Sequence, residues 1–399
     1  MRISILLALL LGAAAPALAQ SDGGTPNCSD LPNTLWLQIG DTQEPLIEYL
    51  GQALLNSAVE PMTLVYVTSG SCTNVDAMYN NTPITVTPKY IPTQAQMPGW
   101  TPAMPAPTCN NTQAGHPIDV ANAALFVSTC DPSTPPADVE LVRGPNQAYA
   151  LVVPSASSQT AMTAEEAYFV FGFGSQGEAQ PWTDESHLFI RTITKSTLLT
   201  WAAAIDVPAA KWKGVQEDTS TEVLNQVAQS TSPEATVGLL GAEIYDANRS
   251  SLKELAFQWF GQHHAWWPDS SSASYDKKNL RDGHYAVWSP TVWMTHIDPG
   301  TQVPVDPRTE YFINLILAKE QTPAFDTNTL DIVIGRGLVP DCAMKVTRSV
   351  EAGPLSLYTP DEPCGCYYDS KTGTSSCATC TDSSTCGGGT CRFGFCEAQ

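Results

Sequence analysis

Apolar stretches alternate with amphipathic stretches along most of this chain, and short polar turns separate them. A buried-strand pattern followed by a polar turn and a helical pattern begins at Thr34, begins again at Thr63, and spans Glu185 to Ile205. Repeated units of this kind predict an α/β fold with ligands at the carboxyl ends of its strands. The alternation continues for roughly 310 residues, which exceeds one typical domain and predicts two α/β lobes.

The same patterns locate the remaining elements. Further strands are predicted at 116–121, 147–153, 235–241 and 285–288, and further helices at 163–171, 221–230 and 309–319. Ser251 and Glu254 have the spacing of a capping box, which predicts a helix that ends before Pro268. The segment 172–177 matches G-x-G-x-x-G but follows a predicted helix, so it is interpreted as a loop and not as a dinucleotide site.

The first residues predict export. Residues 1–19 carry one positive charge, an apolar centre and small residues at the end, a pattern typical of a secretory signal peptide cleaved before Gln20. We therefore expect a periplasmic, cell-surface or extracellular protein. The net charge of −21 argues against nucleic acid or an anionic membrane as the main partner.

All twelve cysteines are expected in disulfides, because the leader places the chain in an oxidising compartment. They are Cys28, Cys72, Cys109, Cys130, Cys342, Cys364, Cys366, Cys377, Cys380, Cys386, Cys391 and Cys396. The last seven lie in a stretch with almost no aliphatic residues, which needs covalent links because it has no core. Seven is an odd number, so Cys342 or another cysteine of the body must complete the set. Zinc is the alternative to disulfides, and the absence of histidine from this stretch disfavours it.

The turn that follows the strand at Leu188 has the features of an anion site. Arg191 and Lys195 precede a helical pattern whose first residues, Ser196 and Thr197, carry hydroxyl groups. Free N–H groups and the positive dipole end at a helix start favour an anion. The competing interpretation is that these residues only cap the helix.

Other chemistry receives little support from the sequence. His263, His264 and His284 lie near Asp269 and Asp282, but their spacing matches no metal-ligand pattern, so packing or surface roles are preferred. No G-x-S-x-G motif is present. We therefore predict no enzyme activity, no cofactor and no metal.

Together these motifs resemble the phosphate-binding periplasmic proteins, the solute receptors of phosphate ABC importers, over residues 34–345. The resemblance implies two α/β lobes joined by crossing segments, with a phosphate clamped between them. The implied boundaries are a signal peptide at 1–19, a polar lead-in at 20–33, lobe 1 at 34–145 and 289–345, lobe 2 at 146–288, and a linker with a Cys-rich tail at 346–399.

The resemblance also implies the ligand contacts. Residues 40–46 look like the first ligand loop, residues 68–71 like the second, 118–123 like a strand end with an acceptor Asp, and 191–197 like the Arg-containing turn. The implied contacts are Thr42, Ser69, Ser71, Asp119, Arg191, Lys195, Ser196 and Thr197. An Arg fork binds phosphate bidentately, and an Asp acceptor admits a protonated oxyanion while excluding sulfate.

Three features depart from the family pattern. Lys195-Ser196-Thr197 stands where the family has Ser-Gly-Thr, and Asp41 and Glu44 add negative charge to the first loop. Cys72 adjoins the second loop and is expected to pair with Cys109 or Cys130.

The function that the resemblance implies is a secreted, monomeric, non-catalytic receptor for phosphate or a related oxyanion, working with an ABC permease. The alternative is an extracellular surface or matrix interaction protein that retains the scaffold, has a degenerate site and uses the Cys-rich tail for adhesion to a cell-surface component. A phosphate-ester hydrolase is a third possibility, for which the sequence offers no nucleophile or metal cluster.

Overall fold

A computed structural model describes residues 24–321, 324–373 and 375–397 of this protein. The predicted signal peptide at residues 1–19 lies outside the described residues. The strands are β1 (Thr34–Gly40), β2 (Thr63–Ser69), β3 (Lys89–Tyr90), β4 (Val120–Ala123), β5 (Val139–Pro154), β6 (Ala161–Thr163), β7 (Leu188–Arg191), β8 (Val215–Glu217), β9 (Val237–Gly241), β10 (Leu252–Glu254), β11 (Ala256–Gln258), β12 (Trp288–Asp298), β13 (Val303–Pro304), β14 (Val346–Thr347), β15 (Ser356–Leu357), β16 (Thr390–Arg392) and β17 (Phe395–Glu397). The helices are α1 (Glu44–Asn56), α2 (Ser71–Tyr79), α3 (Ala164–Phe173), α4 (Ser196–Ala204), α5 (Ser220–Ala228), α6 (Ala242–Ala247), α7 (Lys278–Arg281), α8 (Pro307–Ile316), α9 (Thr329–Gly335) and α10 (Gly365–Thr372).

One large sheet runs through both halves of the molecule, with the order β3-β2-β1-β4-β12-β5-β9-β7-β8. Strands β2, β1 and β4 are parallel in one half, and β9, β7 and β8 are parallel in the other. The long central strands β5 and β12 are antiparallel to each other, and β5 continues from β12 to pair with β9. The predicted two-lobed α/β architecture with crossing segments is confirmed.

The two crossing strands connect the lobes. The implied lobe boundaries at 145/146 and 288/289 fall inside β5 and β12 respectively. Helices α1, α8 and α9 pack on one face of the lobe 1 half of the sheet, and α2 packs on the other, because their apolar positions recur at helical spacing. None of the described helices is both long and apolar enough to cross a membrane.

The predicted helix after Ser251 is wrong. This segment forms β10 and β11, and Leu252 to Glu254 pair antiparallel with Val152 to Pro154 of β5. Leu252, Glu254 and Phe257 are buried in the strand conformation. The capping-box spacing is a local signal, and pairing with the open end of the long strand β5 outweighs it.

All twelve cysteines form disulfides, as predicted. The pairs are Cys28–Cys109, Cys72–Cys130, Cys342–Cys364, Cys366–Cys377, Cys380–Cys391 and Cys386–Cys396. Cys342 of the body completes the odd set, and Cys72 pairs with Cys130. The last three pairs join cysteines between Cys366 and Cys396, and this stretch forms a small C-terminal module.

The C-terminal module is fastened to the body through α10. Besides the Cys342–Cys364 link, the Lys371 ammonium lies 3.0 Å from the Asp331 carboxylate of α9, and Arg281 forms an ion pair with Asp369. Glu397 of β17 accepts hydrogen bonds from the backbone N–H groups of Cys366 and Tyr367 at 2.8 and 2.9 Å. Glu397 therefore caps the start of α10, where a negative charge is favourable.

Candidate functional site

The carboxyl ends of the parallel strands in both halves meet at one cleft between the lobes. The loop after β1 approaches the loop after β7 through Asp41 and Arg191, whose charged groups are in contact. The loop after β2 meets the same region, since the backbone N–H of Cys72 donates to the carbonyl oxygen of Thr194 at 3.2 Å. The structure therefore brings together the predicted loops around Thr42, around Ser69 and Ser71, and from Arg191 to Thr197.

Arg191 is fully buried and its donors are directed to protein acceptors. Its Nε donates to the carbonyl oxygen of Glu217 at 3.3 Å, and Nη1 donates to Ser220 Oγ at 2.6 Å. Its Nη2 donates to Asp41 Oδ2 at 3.0 Å and to the Asp218 carbonyl oxygen at 2.8 Å. The guanidinium, expected to bind an external oxyanion, is thus neutralised by an internal carboxylate.

Asp41 holds the position of an anion in this cluster. In addition to Arg191, its Oδ2 accepts the backbone N–H of Ser220 at 2.8 Å, at the start of α5. Lys195 Nζ lies 4.0 Å from Asp41 Oδ1. Burial would raise the pKa of Asp41, but the charges of Arg191 and Lys195 and the Ser220 N–H outweigh it and hold that pKa below its ordinary value. Asp41 is therefore ionised at neutral pH.

Lys195 fills part of the cleft. It is the N-cap residue of α4, and only 7% of its surface is exposed. Its ammonium lies between Asp41 and Asp218, 3.7 Å from Asp218 Oδ1. The resemblance implied a small residue at this position. The lysine side chain therefore adds both volume and a positive charge to the cleft.

The hydroxyl groups of lobe 1 make hydrogen bonds within the protein. Thr42 Oγ1 donates to Gln147 Oε1 at 3.3 Å, and Ser71 Oγ accepts the Ala124 N–H at 3.1 Å. Ser69 Oγ accepts from Gln38 Nε2 at 3.3 Å and donates to Asn74. These side chains connect the strand ends to one another.

Asp119 lies apart from the other predicted contacts. The strand expected from residue 116 begins only at Val120, so Asp119 precedes β4 and lies at the amino end of the parallel strands. Its carboxylate accepts the backbone N–H of Trp36 at 2.8 Å, near the beginning of β1. The implied role of Asp119 as the acceptor for a protonated oxyanion is therefore corrected, because a strand separates it from the cleft.

Asn122 occupies the strand end that the resemblance assigned to Asp119. A Cβ atom on Gly40 would lie 3.9 Å from Asn122 Oδ1, which places this amide beside the first loop. Asn122 Oδ1 and Thr197 Oγ1 are buried and have no hydrogen-bond partner among the described residues. Asn122 lies only three residues beyond Asp119. To choose Asn122 over Asp119 from the sequence, one would have to know that β4 begins only at Val120.

Gln147 and Glu243 extend the cleft and were not expected from sequence. Gln147 Oε1 accepts from Gln43 Nε2 at 2.6 Å, and Gln147 Nε2 donates to Glu243 Oε2 at 3.1 Å. The first loop of lobe 1 is thereby linked, through crossing strand β5, to the first turn of α6 in lobe 2. No local motif marks either residue.

Solved structures with the same arrangement of lobes include a putative phosphate ABC transporter substrate-binding protein with bound phosphate from Clostridium perfringens. It is 11% identical, with a TM-score of 0.53 over 77% of this chain and 99% of that one. The chain has the fold of a two-lobed binding protein. An ABC-type phosphate transport receptor from Vibrio cholerae (10% identity, TM-score 0.49, 77% and 100% covered) and a possible phosphate-binding protein from Planctomyces limnophilus (13%, 0.44, 77% and 93%) are also similar. No family model matches the sequence, and no curated protein is similar to it in sequence.

Proposed function

We propose that this chain is an exported interaction protein built on the scaffold of a solute-binding protein, in which its own Asp41 carboxylate takes the place of a bound oxyanion. The observation that carries this proposal is the buried Asp41–Arg191 ion pair between the lobes. In this proposal the protein acts by binding a partner and not by catalysis.

A tethered carboxylate is a strong competitor for a free anion. A group linked through the chain has an effective concentration of millimolar or more, so phosphate at micromolar concentration displaces Asp41 only with much better contacts. An oxyanion entering beside Asp41 would also meet a negative charge at close range. We therefore expect the protein to exclude phosphate at physiological concentrations while Asp41 and Arg191 are paired.

Export is part of this proposal. The leader pattern of residues 1–19 and the six disulfides both suit an oxidising compartment. The Cys342–Cys364 disulfide and the ion pairs of α10 hold the C-terminal module against the body, so a monomer would present it as a fixed surface to a cell-surface component. Fractionation of the native host, with the mature protein expected outside the cytoplasm, tests this part.

An oxyanion receptor serving an ABC permease is the second candidate. Thr197 and Asn122, whose buried oxygens lack partners within the described part of the chain, favour it because an oxyanion with a proton would satisfy both. Lys195 would supply the positive charge that Asp41 removes from Arg191. The phosphate named for the Clostridium perfringens neighbour is consistent with this candidate.

Calorimetric titration of phosphate and sulfate into the oxidised mature protein distinguishes the two candidates. For the interaction protein, we expect no heat from the wild type at millimolar phosphate. Asp41→Ala should then bind phosphate, because Arg191 and Lys195 lose their internal counter-ion. Asp218→Asn is the matched control, since this exposed carboxylate lies beside Lys195 but makes no side-chain contact with Arg191.

Micromolar phosphate binding by the wild type, lost in Arg191→Ala, would overturn the proposal and establish the receptor. Absence of binding by both the wild type and Asp41→Ala would contradict the role of Asp41 as a substitute for the anion. The melting temperature of each variant shows whether it is folded.

A further inference from the structure

The pairing of the two crossing strands is interrupted at one point between the lobes. Pro290 is opposite Asn146 and Val292 is opposite Arg143, so two residues of β5 face one residue of β12. A bulge of this kind bends the strands, and Pro145 and Pro290 beside it have no N–H group to donate to the ladder. We therefore expect the lobes to change their angle at this bulge, which is called the hinge below.

Residues 342–364 form an ordered arm that reaches the hinge. The Cys342–Cys364 disulfide closes its base, where the Cys364 N–H also donates to the Cys342 carbonyl oxygen at 2.8 Å. Further along, the Tyr358 N–H donates to the Lys345 carbonyl oxygen at 2.9 Å, and β14 pairs antiparallel with β15. The arm leads directly into α10, so it connects the C-terminal module to the hinge.

Arg348 of the arm contacts both sides of the hinge. Its carbonyl oxygen accepts from Arg143 Nη1 at 3.3 Å, on the lobe 1 side of the bulge. Its own Nη2 donates to the Ala286 carbonyl oxygen at 2.9 Å, and its Cζ lies 4.0 Å from the centre of the Trp288 ring, on the lobe 2 side. Burial lowers the pKa of Arg348 to about 10 against the opposing charge of Glu351, so the guanidinium remains charged at neutral pH.

Glu351, three residues further along the arm, makes a second connection across the hinge. Its Oε1 accepts the Phe126 N–H of lobe 1 at 2.8 Å. The same oxygen accepts from Ser289 Oγ at 2.6 Å, and Ser289 lies opposite Gln147 on the lobe 2 side of the bulge. Loss of the carboxyl group would leave the Phe126 N–H without this acceptor, which carries a free-energy penalty. Glu351 therefore links lobe 1 to the crossing strand beyond the bulge.

We propose that the arm of residues 342–364 is a latch that fixes the angle between the lobes, with Arg348 and Glu351 as its two contacts. Both contacts span the bulge, where the strand ladder itself is interrupted. The disulfide at the base restricts the arm before it docks, so less conformational entropy is lost when these contacts form. Because the C-terminal module follows the arm directly, a partner that moves the module would also move the latch.

Two backbone amides report on separation of the lobes. The Cys72 N–H donates to the Thr194 carbonyl oxygen at 3.2 Å, and the Ser220 N–H donates to Asp41 Oδ2 at 2.8 Å. Both bonds join the lobes across the cleft, and neither involves the arm, so these are called the cross-cleft amides. The Asn74 N–H bonds within lobe 1 at 2.9 Å and serves as the reference amide. Hydrogen exchange of the full oxidised protein, read by NMR, distinguishes lobe opening from general destabilisation.

Arg348→Met and Glu351→Ala are the informative variants. Met retains apolar packing on Trp288 while it removes the side-chain hydrogen bond, and Ala removes both bonds of the carboxyl group. Each variant should speed exchange of the cross-cleft amides about tenfold and leave the reference amide unchanged, because the lost hydrogen bonds lie at the hinge. Ser349→Ala is the matched control, since this exposed residue lies between the two contacts, and it should change none of the three amides.

Equal acceleration of the cross-cleft and reference amides would overturn this proposal, because the arm would then contribute only to overall stability. Unchanged exchange in both folded variants would overturn it as well. Should Glu351→Ala fail to fold, Arg348→Met still decides the question. Exchange is measured without added phosphate, so the result does not depend on whether the cleft binds an oxyanion.

Discussion

The Asp41 carboxylate of lobe 1 lies 3.0 Å from Arg191 Nη2 of lobe 2, and the same carboxylate oxygen accepts the Ser220 N–H at the start of α5. A turn of one lobe thereby caps a helix of the other lobe and neutralises a fully buried guanidinium. The interaction connects the lobes directly, so closure of the cleft and satisfaction of Arg191 depend on each other.

Breaking this ion pair from either side should destabilise the protein by about 3 kcal/mol, because each single change leaves a buried charge without its partner. Urea unfolding of Asp41→Asn, Arg191→Met and the double variant measures the effect. The double variant should lose less free energy of unfolding than the two single variants lose together. A strictly additive result would show that the two charges do not interact.

The pair formed by Asp306 and Arg308 is the control for that experiment. Their charged groups are also in contact, but both side chains are about one-third to one-quarter exposed. We expect Arg308→Met to cost less than about 1 kcal/mol, since water screens a surface pair.

Gly70→Ala should open the cleft. The backbone of Gly70 has φ −78°, which alanine adopts without strain, so the effect must come from the contact across the lobes. The added Cβ would lie 2.7 Å from the Thr194 carbonyl oxygen, which is too close. Small-angle scattering should show a larger radius of gyration, and the melting temperature should fall.

Gly335→Ala is the matched control for Gly70→Ala. It lies in α9, and a Cβ there would meet no atom within 4 Å. Alanine in a helix at a compatible position is neutral or stabilising by less than about 1 kcal/mol. Equal destabilisation by both substitutions would refute the explanation from the inter-lobe contact.

Glu48 should make the stability depend on pH. Burial, with the adjacent charge of Glu44, raises the pKa of Glu48 to about 7 from a model-peptide value of 4.5. The folded state therefore retains a proton that the unfolded state loses, and stability falls as pH rises from about 4.5 to about 7. Above that range the loss is constant, at most about 3 kcal/mol.

Glu48→Gln should remove this dependence while preserving an acceptor for the Tyr66 hydroxyl, which donates to Glu48 Oε1 at 3.1 Å. Chemical denaturation at pH 5 and pH 8 is the measurement. The variant should exceed the wild type in stability at pH 8 and approach it at pH 5. The same pH profile for wild type and variant would contradict the assignment.

The Cys342–Cys364 disulfide should hold α10 against the body. Replacing both cysteines with serine opens a loop of 22 residues, which costs about 3 kcal/mol by loop-closure entropy. Limited proteolysis should then cut first in the segment before α10. Loss of Cys386–Cys396, within the module, should leave that segment protected, and equal cleavage in both variants would rule out a specific role for Cys342.

The strand–turn–helix units at Thr34, Thr63 and Leu188 could be predicted because each depends on residues close together in sequence. Hydrophobic periodicity is a local property, and it correctly located β1, β2, β7 and α4. The disulfide state of all twelve cysteines followed from the leader and the composition of the tail. The segment after Ser251 was mispredicted, because its conformation depends on β5, almost one hundred residues earlier in the chain.

The sequence by itself determined the two-lobed α/β fold and the covalently stapled C-terminal module, since hydrophobic spacing and cysteine content are written along the chain. The loops that meet at the cleft were implied by the resemblance of their short motifs to those of a known family. Only the tertiary structure decided the state of the cleft. Asp41, the partner of Arg191, is 150 residues away in the sequence. Whether the Asp41 carboxylate repels an incoming anion or takes its place depends on the distance between the Asp41 and Arg191 side chains. The position of Asp119, the place of Asn122 and the link between Gln147 and Glu243 depend on register and packing in the same way. Local sequence patterns do not predict these positions, because charge interactions and burial bring together residues that are far apart in the chain.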